Sequence, residues 1–170
     1  LNKNIRTIFV PNSKLLTFTT QWAHDTWNRV TEMIYPDHEK LKFNFNLGGS
    51  LQNMSGEKDG TIYNYVTQLG YDKFEQRVYL SYGNGTETYY NYEPDRRRLK
   101  TMAAQTVNGR LMMDNVYSYD KENNILRLQN NAEIPDSNEM GGKTDTNYTY
   151  DDLYRLTHAT GTHLGSNHEN

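Results

Sequence analysis

The sequence predicts an all-β protein made of tandem β-hairpins that continue one another in a long sheet. Near the C-terminus, Tyr148 and Tyr150 alternate with Thr149, which is the period of a strand that carries both rings on one face. Asp151 then interrupts the run, and an extended segment resumes at Arg155. The pattern recurs along the chain, and such internal repeats indicate a stacked array of supersecondary units.

The composition favours an ordered β-structure with a large polar surface. Only 35% of the residues are hydrophobic, but the chain contains 14 Tyr, 5 Phe and 2 Trp. Tyrosine suits half-buried strands because its ring packs while its hydroxyl stays hydrated, whereas disordered chains contain few aromatic residues. No window shows the apolar spacing of an amphipathic helix, so we expect little helix.

Charge, cysteine content and apolar runs argue against several classes of protein. The formal net charge of −3 disfavours a dedicated nucleic-acid or anionic-membrane binder. Without Cys there is no disulfide framework and no thiolate chemistry. No run reaches the roughly 18 apolar residues of a membrane span, and the first residues do not resemble a signal peptide. Because the chain begins at Leu1 and not at Met, we expect it to be a fragment of a longer protein.

Two leading strands are expected in residues 1–20, before the repeats. They are predicted at 5–10 and 15–20, separated by the turn signal Pro11-Asn12-Ser13. About six repeats then cover 21–161, and a tail follows at 162–170. An exposed loop rich in Asn, Asp, Ser and Gly is expected as an insertion at 130–147.

Each predicted repeat begins with two large residues that are separated by one residue, and we call their places the first and second aromatic positions. The first positions are spaced by 21, 26, 21, 27 and 31 residues and are Trp22, Phe43, Leu69, Tyr90, Tyr117 and Tyr148. A unit near 21 residues holds two strands of about 5–6 residues and two short turns, and longer spacings fit insertions in loops. One hairpin is marginal alone in water, so each unit is expected to bury its aromatic face against its neighbours.

The residue after the second aromatic position is predicted to shape the turn. The carboxylates of Asp25, Asp72, Asp120 and Asp151 can accept backbone N–H groups of the turn that follows. Asn46 can do the same, and Glu93 less well. Repeats three and four are expected to contain one extra turn residue.

Arginine often stands where the chain leaves the turn, at Arg29, Arg77, Arg98 and Arg155. Its guanidinium is expected either to pair with a carboxylate of the same or an adjacent unit or to stack on an aromatic ring. Repeats two and five have Ser50 and Ile125 in this place. The full predicted repeat signature consists of Trp22, His24, Asp25, Arg29, Phe43, Phe45, Gly49, Tyr71, Asp72, Arg77, Tyr90, Tyr92, Arg98, Tyr117, Tyr119, Asp120, Tyr148, Tyr150, Asp151, Arg155 and Gly161.

This signature resembles the YD-repeat arrays of the Rhs family. Its form is Tyr-x-Tyr-Asp, a turn bearing Gly or Asn, then Arg-Leu and a closing Gly. The match is clearest at 148–161, good at 117–128, and recognisable at 22–35, 43–56, 71–82 and 90–99. Members of the family include bacterial Rhs polymorphic toxins, the B and C components of Tc toxin complexes, and teneurins.

The resemblance implies a long sheet that spirals into a hollow β-shell or solenoid-like wall. Such a shell encloses a cargo, often a C-terminal toxin domain, or displays surfaces for adhesion. The chain is therefore expected to be a non-catalytic structural segment of a secreted or cell-surface bacterial protein, with the remainder of its parent chain as its partner. The self-cleaving core of many members is not carried over, because the chain contains no Asp-Pro-x-Gly stretch.

Catalytic and metal-binding hypotheses find less support in the residues. Paired carboxylates suggest glycoside hydrolysis, but one carboxylate per repeat is better explained by turns. His163 and His168, with four residues between them, are considered as a metal pair on a helix, yet Gly165-Ser166-Asn167 between them disfavours a helix. No cofactor or metal is expected. His24 is interpreted as a packing residue, and the cluster at 96–98 as a solvated basic turn.

The tyrosines leave one alternative function open. Aromatic rows beside Asn and Asp side chains can hold sugars, so the chain could be an adhesive module that binds glycans or a cell-surface partner. The interpretation as a packing seam between strands is favoured. The open sheet edges of such a segment also invite pairing with another chain, so self-association is expected.

Overall fold

The computed structural model describes residues 2–8, 15–133 and 142–163. These residues form strands, turns and bends and contain no helix. The thirteen strands are β1 Asn2–Ile8, β2 Leu16–His24, β3 Val30–Ile34, β4 Lys40–Phe45, β5 Leu51–Lys58, β6 Thr61–Tyr71, β7 Arg77–Tyr82, β8 Glu87–Tyr92, β9 Leu99–Gln105, β10 Leu111–Tyr119, β11 Ile125–Asn130, β12 Thr144–Tyr150 and β13 Leu156–His163.

The strands follow chain order in one sheet, from β1 to β13. Every strand pair whose register is described is antiparallel. The predicted all-β fold of tandem hairpins is therefore confirmed. The part of the chain that the structure describes offers no helix able to cross a membrane.

The chain divides into two compact units. One comprises Leu1–Glu75 and Ser81–Asn84, and the other comprises Gln76–Leu80 and Gly85–Asn170. In the first unit, Leu41 and Leu69 are the buried hydrophobic residues, at 7% and 9% exposure. In the second, the buried side chains are those of Leu80, Thr88, Ala104 and Ala132. With so few buried side chains, each unit depends on strand pairing and on contacts between half-buried side chains of neighbouring strands.

A one-residue register shift recurs in the hairpins and falls at the second aromatic position. In the second unit it lies between Asn91 and Tyr92, between Ser118 and Tyr119, and between Thr149 and Tyr150. In the first unit the hairpins β2–β3 and β4–β5 show the same shift at His24 and Phe45. Such bulges bend the strand and re-aim a side chain, here the one that directly precedes the turn.

Several strand boundaries differ from the expected ones. The second leading strand is continuous with the first repeat, because β2 runs unbroken through Trp22 and pairs with β1 from Leu16 to Trp22. The insertion predicted at 130–147 is shorter, because Asn130 pairs with Thr144 and Arg127 with Asn147. Positions 9–14, 134–141 and 164–170 of these predictions lie outside the described residues.

We predict that Gly83→Ala destabilises the protein by about 2 kcal/mol or more, the upper part of the range for overpacking. The Gly83 amide donates to the Tyr65 carbonyl oxygen at 3.1 Å. A Cβ atom at this position would lie only 1.4 Å from the backbone oxygen of Asn64, so the two chain segments would have to separate. The urea midpoint of unfolding measures the loss.

Gly161→Ala is the matched control for this prediction. A Cβ atom at Gly161 would meet its nearest atom, the Thr146 hydroxyl oxygen, at 3.4 Å. This change should stay within about 0.5 kcal/mol of the wild type. Equal urea midpoints for the two alanine variants would show that the close approach at Gly83 does not limit stability.

Candidate functional site

The candidate site is the junction between successive repeats, and its first component is a turn closed by an acidic side chain. At Asp25, one carboxylate oxygen, Oδ1, accepts the backbone N–H groups of Trp27 and Arg29 at 2.9 and 3.0 Å. The Asp25 carbonyl oxygen accepts the N–H of Asn28 at 3.1 Å. Asn28 has φ of 62°, a left-handed conformation that asparagine adopts more readily than most residues. The side chain and the backbone carbonyl group of Asp25 thus both accept N–H groups of the turn, as in an Asx motif.

The same arrangement recurs at the C-terminal repeat. Asp151 Oδ1 accepts the N–H groups of Leu153 and Arg155, both at 2.9 Å. Tyr154 has φ of 60° and donates its N–H to the Asp151 carbonyl oxygen. Since Tyr154 and Asn28 both lie three residues after the acid, the two turns have the same length.

The turns of repeats two and five close without arginine. Asn46 Oδ1 accepts the N–H of Ser50 at 3.0 Å, as the sequence suggested. In repeat five, Asp120 accepts both the N–H and the side-chain amide of Asn124, at 2.8 and 2.7 Å. Asn124, and not Ile125, therefore holds the place of arginine there, and Ile125 is the first residue of β11.

The expected extra residue in the third turn is a wrong prediction. Asp72 accepts the N–H of Phe74 on Oδ1 at 2.8 Å, and Glu75, with φ of 63°, donates to the Asp72 carbonyl oxygen. These contacts match those of the Asp25 turn position by position. Gln76 therefore stands where the other turns have arginine, and Arg77 is the first residue of β7. Arg77 suggested the extra residue because it is an arginine, whereas Gln76 lies at the same distance from the acid as Arg29 and Arg155 do in their turns.

The fourth turn does contain one extra residue. Arg97, with φ of 59°, lies four residues after Glu93 and donates its N–H to the Glu93 carbonyl oxygen at 3.0 Å. The longer glutamate side chain does not accept the turn amides in the way that aspartate does. It forms instead a two-pronged pair with Arg98, whose Nε and Nη2 lie 2.6 and 3.0 Å from the two carboxylate oxygens.

The arginines link one repeat to the next. Arg29 Nε and Nη2 lie 2.7 and 2.6 Å from Asp25 Oδ2, while its Cζ lies 4.3 Å from the centre of the Phe45 ring. Arg98, paired with its own glutamate, has its Cζ 4.5 Å from the centre of the Tyr119 ring. Phe45 and Tyr119 hold the second aromatic position of the following repeat. Ion pairing and ring stacking, which the sequence offered as alternatives, thus occur together.

Tyrosine hydroxyls form a second link between repeats. We call the second strand of each repeat, which follows the turn, the return strand. At three junctions of the second unit, the tyrosine in the second aromatic position donates its hydroxyl hydrogen to a backbone carbonyl oxygen. That oxygen belongs to the first residue of the return strand of the preceding repeat. The pairs are Tyr92 to Arg77 at 2.9 Å, Tyr119 to Leu99 at 2.7 Å, and Tyr150 to Ile125 at 2.9 Å. The ring is packed and its hydroxyl is satisfied, so the tyrosine is part of the seam between hairpins.

Sequence reasoning missed a cluster around Glu87. Its carboxylate accepts hydrogen bonds from the hydroxyls of Tyr79 and Tyr89 at 2.6 and 2.7 Å and from Gln105 Nε2 at 2.8 Å. The rings of Tyr79 and Tyr89 lie 5.3 Å apart. These residues belong to three different strands, so no local sequence pattern joins them. Only strand register brings them together.

The carboxylates of these junctions are stabilised in their ionised form. Hydrogen bonds from Tyr79, Tyr89 and Gln105 lower the pKa of Glu87, and the hydrogen bonds from Arg98 lower the pKa of Glu93. A carboxyl group that acts as a general acid near neutral pH needs its pKa raised, so these shifts run in the opposite direction. The hydrogen bond that the Tyr89 hydroxyl donates to Glu87 raises the pKa of Tyr89.

Two signature residues lie in settings that differ from the expected one. His24, interpreted as a packing residue, is exposed at the end of β2. Its neighbour β1 begins at Asn2, which pairs with Trp22, so the described part of β1 does not reach His24. Gly161 lies inside β13, where its backbone does not require glycine, whereas Gly49 has φ of 88° and closes its turn.

The basic turn at 96–98 is more engaged than expected. Arg96 donates to the carbonyl oxygen of Lys121. Arg97 exchanges hydrogen bonds with Gln76 at 3.0 and 2.8 Å, and Arg97 and Arg98 are half-buried. These contacts place Arg97 and Arg98 in the junction, whereas Arg96 is exposed, as expected for a solvated turn.

Within the described residues no cluster of three or more His, Asp or Glu side chains is placed to hold a metal ion. His163 ends β13, while His168 lies outside the described residues. The tail pair considered at the sequence level stays untested.

Strand order, repeated turns and the arginine and tyrosine links define a class of protein: a repeat protein whose antiparallel sheet grows by adding hairpins. No protein-family model matches the chain. Two curated proteins of Yersinia entomophaga are similar. Toxin subunit YenC1 is 32% identical over 108 residues, covering 59% of this chain and 11% of the relative. Toxin subunit YenC2 is 28% identical over 162 residues, covering 88% of this chain and 16% of the relative.

Solved structures show the same fold. The crystal structure of TcdB2-TccC3 matches 82% of this chain and 7% of that chain, with a TM-score of 0.75 and 24% identity. The Photorhabdus luminescens Tc holotoxin pore matches the same shares, with a TM-score of 0.74 and 24% identity. The predicted resemblance to Rhs-type YD-repeat proteins of Tc toxin complexes is confirmed, and the chain spans only a small part of its relatives' length.

We predict that Asp151→Ala lowers the melting temperature by about 2–4 °C, the shift expected for one turn-closing set of hydrogen bonds in a chain of this size. Asp151→Asn should have a smaller effect, because Asn46 shows that an amide oxygen can accept the turn N–H group. Asp152→Ala is the control, since Asp152 is exposed and adjacent. Thermal unfolding followed by circular dichroism measures all three.

The effect of Asp151→Ala should depend on pH. The backbone and side-chain hydrogen bonds of Arg155 lower the pKa of Asp151, so the unfolded chain takes up the proton first. The stabilisation is complete above the unfolded pKa of about 3.9 and is lost as the pH falls through the lower folded value. The difference in melting temperature should therefore shrink below about pH 4. A difference that stays constant down to pH 2 would contradict this account.

We predict that Tyr150→Phe costs about 1 kcal/mol of stability, because it leaves the Ile125 carbonyl oxygen without the tyrosine hydroxyl at 2.9 Å. Tyr148→Phe is the matched control on the same strand, since no hydrogen bond of its hydroxyl to a described residue is found. Urea unfolding of both variants gives the comparison. Equal losses would show that the tyrosine hydroxyl does not join the repeats.

Proposed function

We propose that this chain is a structural, non-catalytic segment of an Rhs-type shell in a bacterial, secreted toxin complex. The shell would enclose or present a toxin or another cargo, and the segment would supply part of its wall. Its partner is the remainder of its own parent chain. The observation that supports this most is the recurrent junction, in which the side chains conspicuous in the sequence serve to join hairpins.

The chemistry of the carboxylates supports a structural role. Asp25, Asp120 and Asp151 each accept backbone N–H groups of their own turn. Glu93 is paired with arginine, and Glu87 accepts three hydrogen bonds. Each group is thus engaged with protein, which is the arrangement of a structural residue and leaves little freedom for proton transfer.

The relatives support the toxin-complex context. Two of them are named toxin subunits, and the fold is that of TcdB2-TccC3. Because the chain covers 11% and 16% of the two subunits, enclosure is a property of the assembled parent that this segment contributes to and does not perform alone.

Glycan adhesion, the alternative function, is less favoured by the contacts. Sugar-binding tyrosines present rings and hydroxyls to solvent, whereas Tyr92, Tyr119 and Tyr150 donate their hydroxyls to backbone oxygens. Tyr79 and Tyr89 donate to Glu87. The seam interpretation accounts for these tyrosines without a ligand.

The proposal predicts that the full-length parent protein forms a closed wall around an internal space. Cryo-electron microscopy of the parent should place residues 15–133 in that wall, with density for cargo inside. Limited proteolysis should spare the enclosed part in the wild type and degrade it when a junction is opened by Arg98→Ala combined with Tyr119→Ala. Asp152→Ala is the control and should keep the protection.

An open sheet without an internal space, or cargo digested equally in all three proteins, would overturn the shell function. A hit on a glycan array that is lost on replacing an exposed tyrosine would favour the adhesive alternative instead.

A further inference from the structure

A half-formed junction lies at the start of the edge strand β13. Arg155 is paired with Asp151 through Nε and Nη2, both at 2.7 Å, as Arg29 is paired with Asp25. The Arg29 and Arg98 side chains are 26% and 18% exposed, since an aromatic ring of the following repeat covers each. The Arg155 side chain is 73% exposed. The guanidinium is oriented by its own acid and lacks a described ring above it.

The backbone beside Arg155 repeats the acceptor geometry of the earlier junctions. The carbonyl oxygens that accept a tyrosine hydroxyl belong to Leu99 and Ile125, the first residues of β9 and β11. Leu156 is the first residue of β13 and follows Arg155 as Leu99 follows Arg98. Its carbonyl oxygen is therefore the corresponding acceptor position.

Strand register at three junctions gives the position of an incoming strand. In each case the third residue of the return strand pairs with a residue of the following repeat. That partner lies three positions before the second aromatic position of the following repeat. This holds for Glu32 with Lys42, Thr101 with Val116, and Arg127 with Asn147. On β13 the corresponding residue is His158, two after Leu156.

We propose that β13 is a receptor edge for one kind of partner: an antiparallel strand that carries tyrosine at the second aromatic position. Arg155 stacks on that ring, the Leu156 carbonyl oxygen accepts its hydroxyl, and His158 pairs with the residue three positions before it. The inference deepens the proposed function and rests on it, because it assumes that the array continues beyond the described residues.

The two edge strands of the chain do not supply such a partner themselves. Neither β1, Asn2–Ile8, nor β13, Leu156–His163, contains a tyrosine. Pairing of two copies through these edges would therefore leave the Arg155 position without its ring. The β13 edge is therefore selective for a repeat strand. This partner is more specific than the general self-association expected from open sheet edges.

Disulfide trapping tests the register. Because the chain contains no Cys, an introduced cysteine is the only thiol of the chain that can react. The 170-residue chain with His158→Cys is mixed with a synthetic peptide that copies residues 111–120 and carries Val116→Cys. Facing residues on antiparallel strands lie within disulfide distance, whereas a shift by one residue points the side chain to the other face. Cross-linking should therefore be at least tenfold faster for His158→Cys than for the controls Thr157→Cys and Ala159→Cys.

Affinity tests the two receptor groups. In a titration of labelled peptide without cysteine, replacing the residue that corresponds to Tyr119 by Phe should weaken binding about fivefold, as expected for one hydrogen bond. Arg155→Ala in the chain should weaken it by a similar factor, while Arg110→Ala, on another turn, should leave it unchanged.

Equal cross-linking at all three cysteines, or none at any, would overturn the inference, as would equal binding of the Tyr and Phe peptides. Cross-linking between two copies of the His158→Cys chain that outcompetes the peptide would assign the edge to self-association and also overturn it. None of these outcomes bears on whether the parent encloses cargo, so failure here is distinct from failure of the shell function.

Discussion

The junctions depend on a side chain that closes a turn, and at Asp25 and Asp151 the same carboxylate also holds an arginine. At Asp25, one oxygen binds the turn backbone and the other binds the Arg29 guanidinium, whose far face then packs on Phe45 of the next repeat. A local hydrogen bond of the turn is thereby converted into a contact between hairpins. Charge-assisted pairs of this kind are geometrically specific, and stacking on a ring adds to their strength. Without the acid, the turn and the link to its neighbour would be lost together.

This coupling explains how so small a core can suffice. The described residues include few deeply buried side chains, and a lone hairpin is marginal in water. Stability must then come from each unit and its interfaces with its neighbours, as in other repeat proteins. The variation between repeats fits this view. Asn124 replaces arginine in one turn, and Glu93 replaces aspartate in another, yet each still closes its turn or makes its link by another route.

Much of this architecture is readable from sequence, and the limits have physical causes. Alternation of aromatic residues and a turn-forming acid predicted the hairpins and their order, because both signals are local. The length of the third turn was predicted wrongly, because matching by arginine made Arg77 the equivalent of Arg29. The left-handed conformation of Glu75, which marks the true length of the turn, cannot be read from the sequence. The Glu87 cluster and the tyrosine hydroxyl links were out of reach, because they depend on register between strands that no local pattern encodes.

The same contacts bear on what the proposed enclosing wall would need. A wall that faces a cargo must be stable without presenting large apolar surfaces, which would bind an unfolded chain. Tyrosine meets both demands here: the Tyr119 ring packs beneath Arg98 while its hydroxyl is bound by the Leu99 carbonyl oxygen. Leucine in its place would pack but could not make the hydrogen bond. The choice of tyrosine at the second aromatic position is thus explained by the junctions, since its side chain helps to hold a polar sheet together.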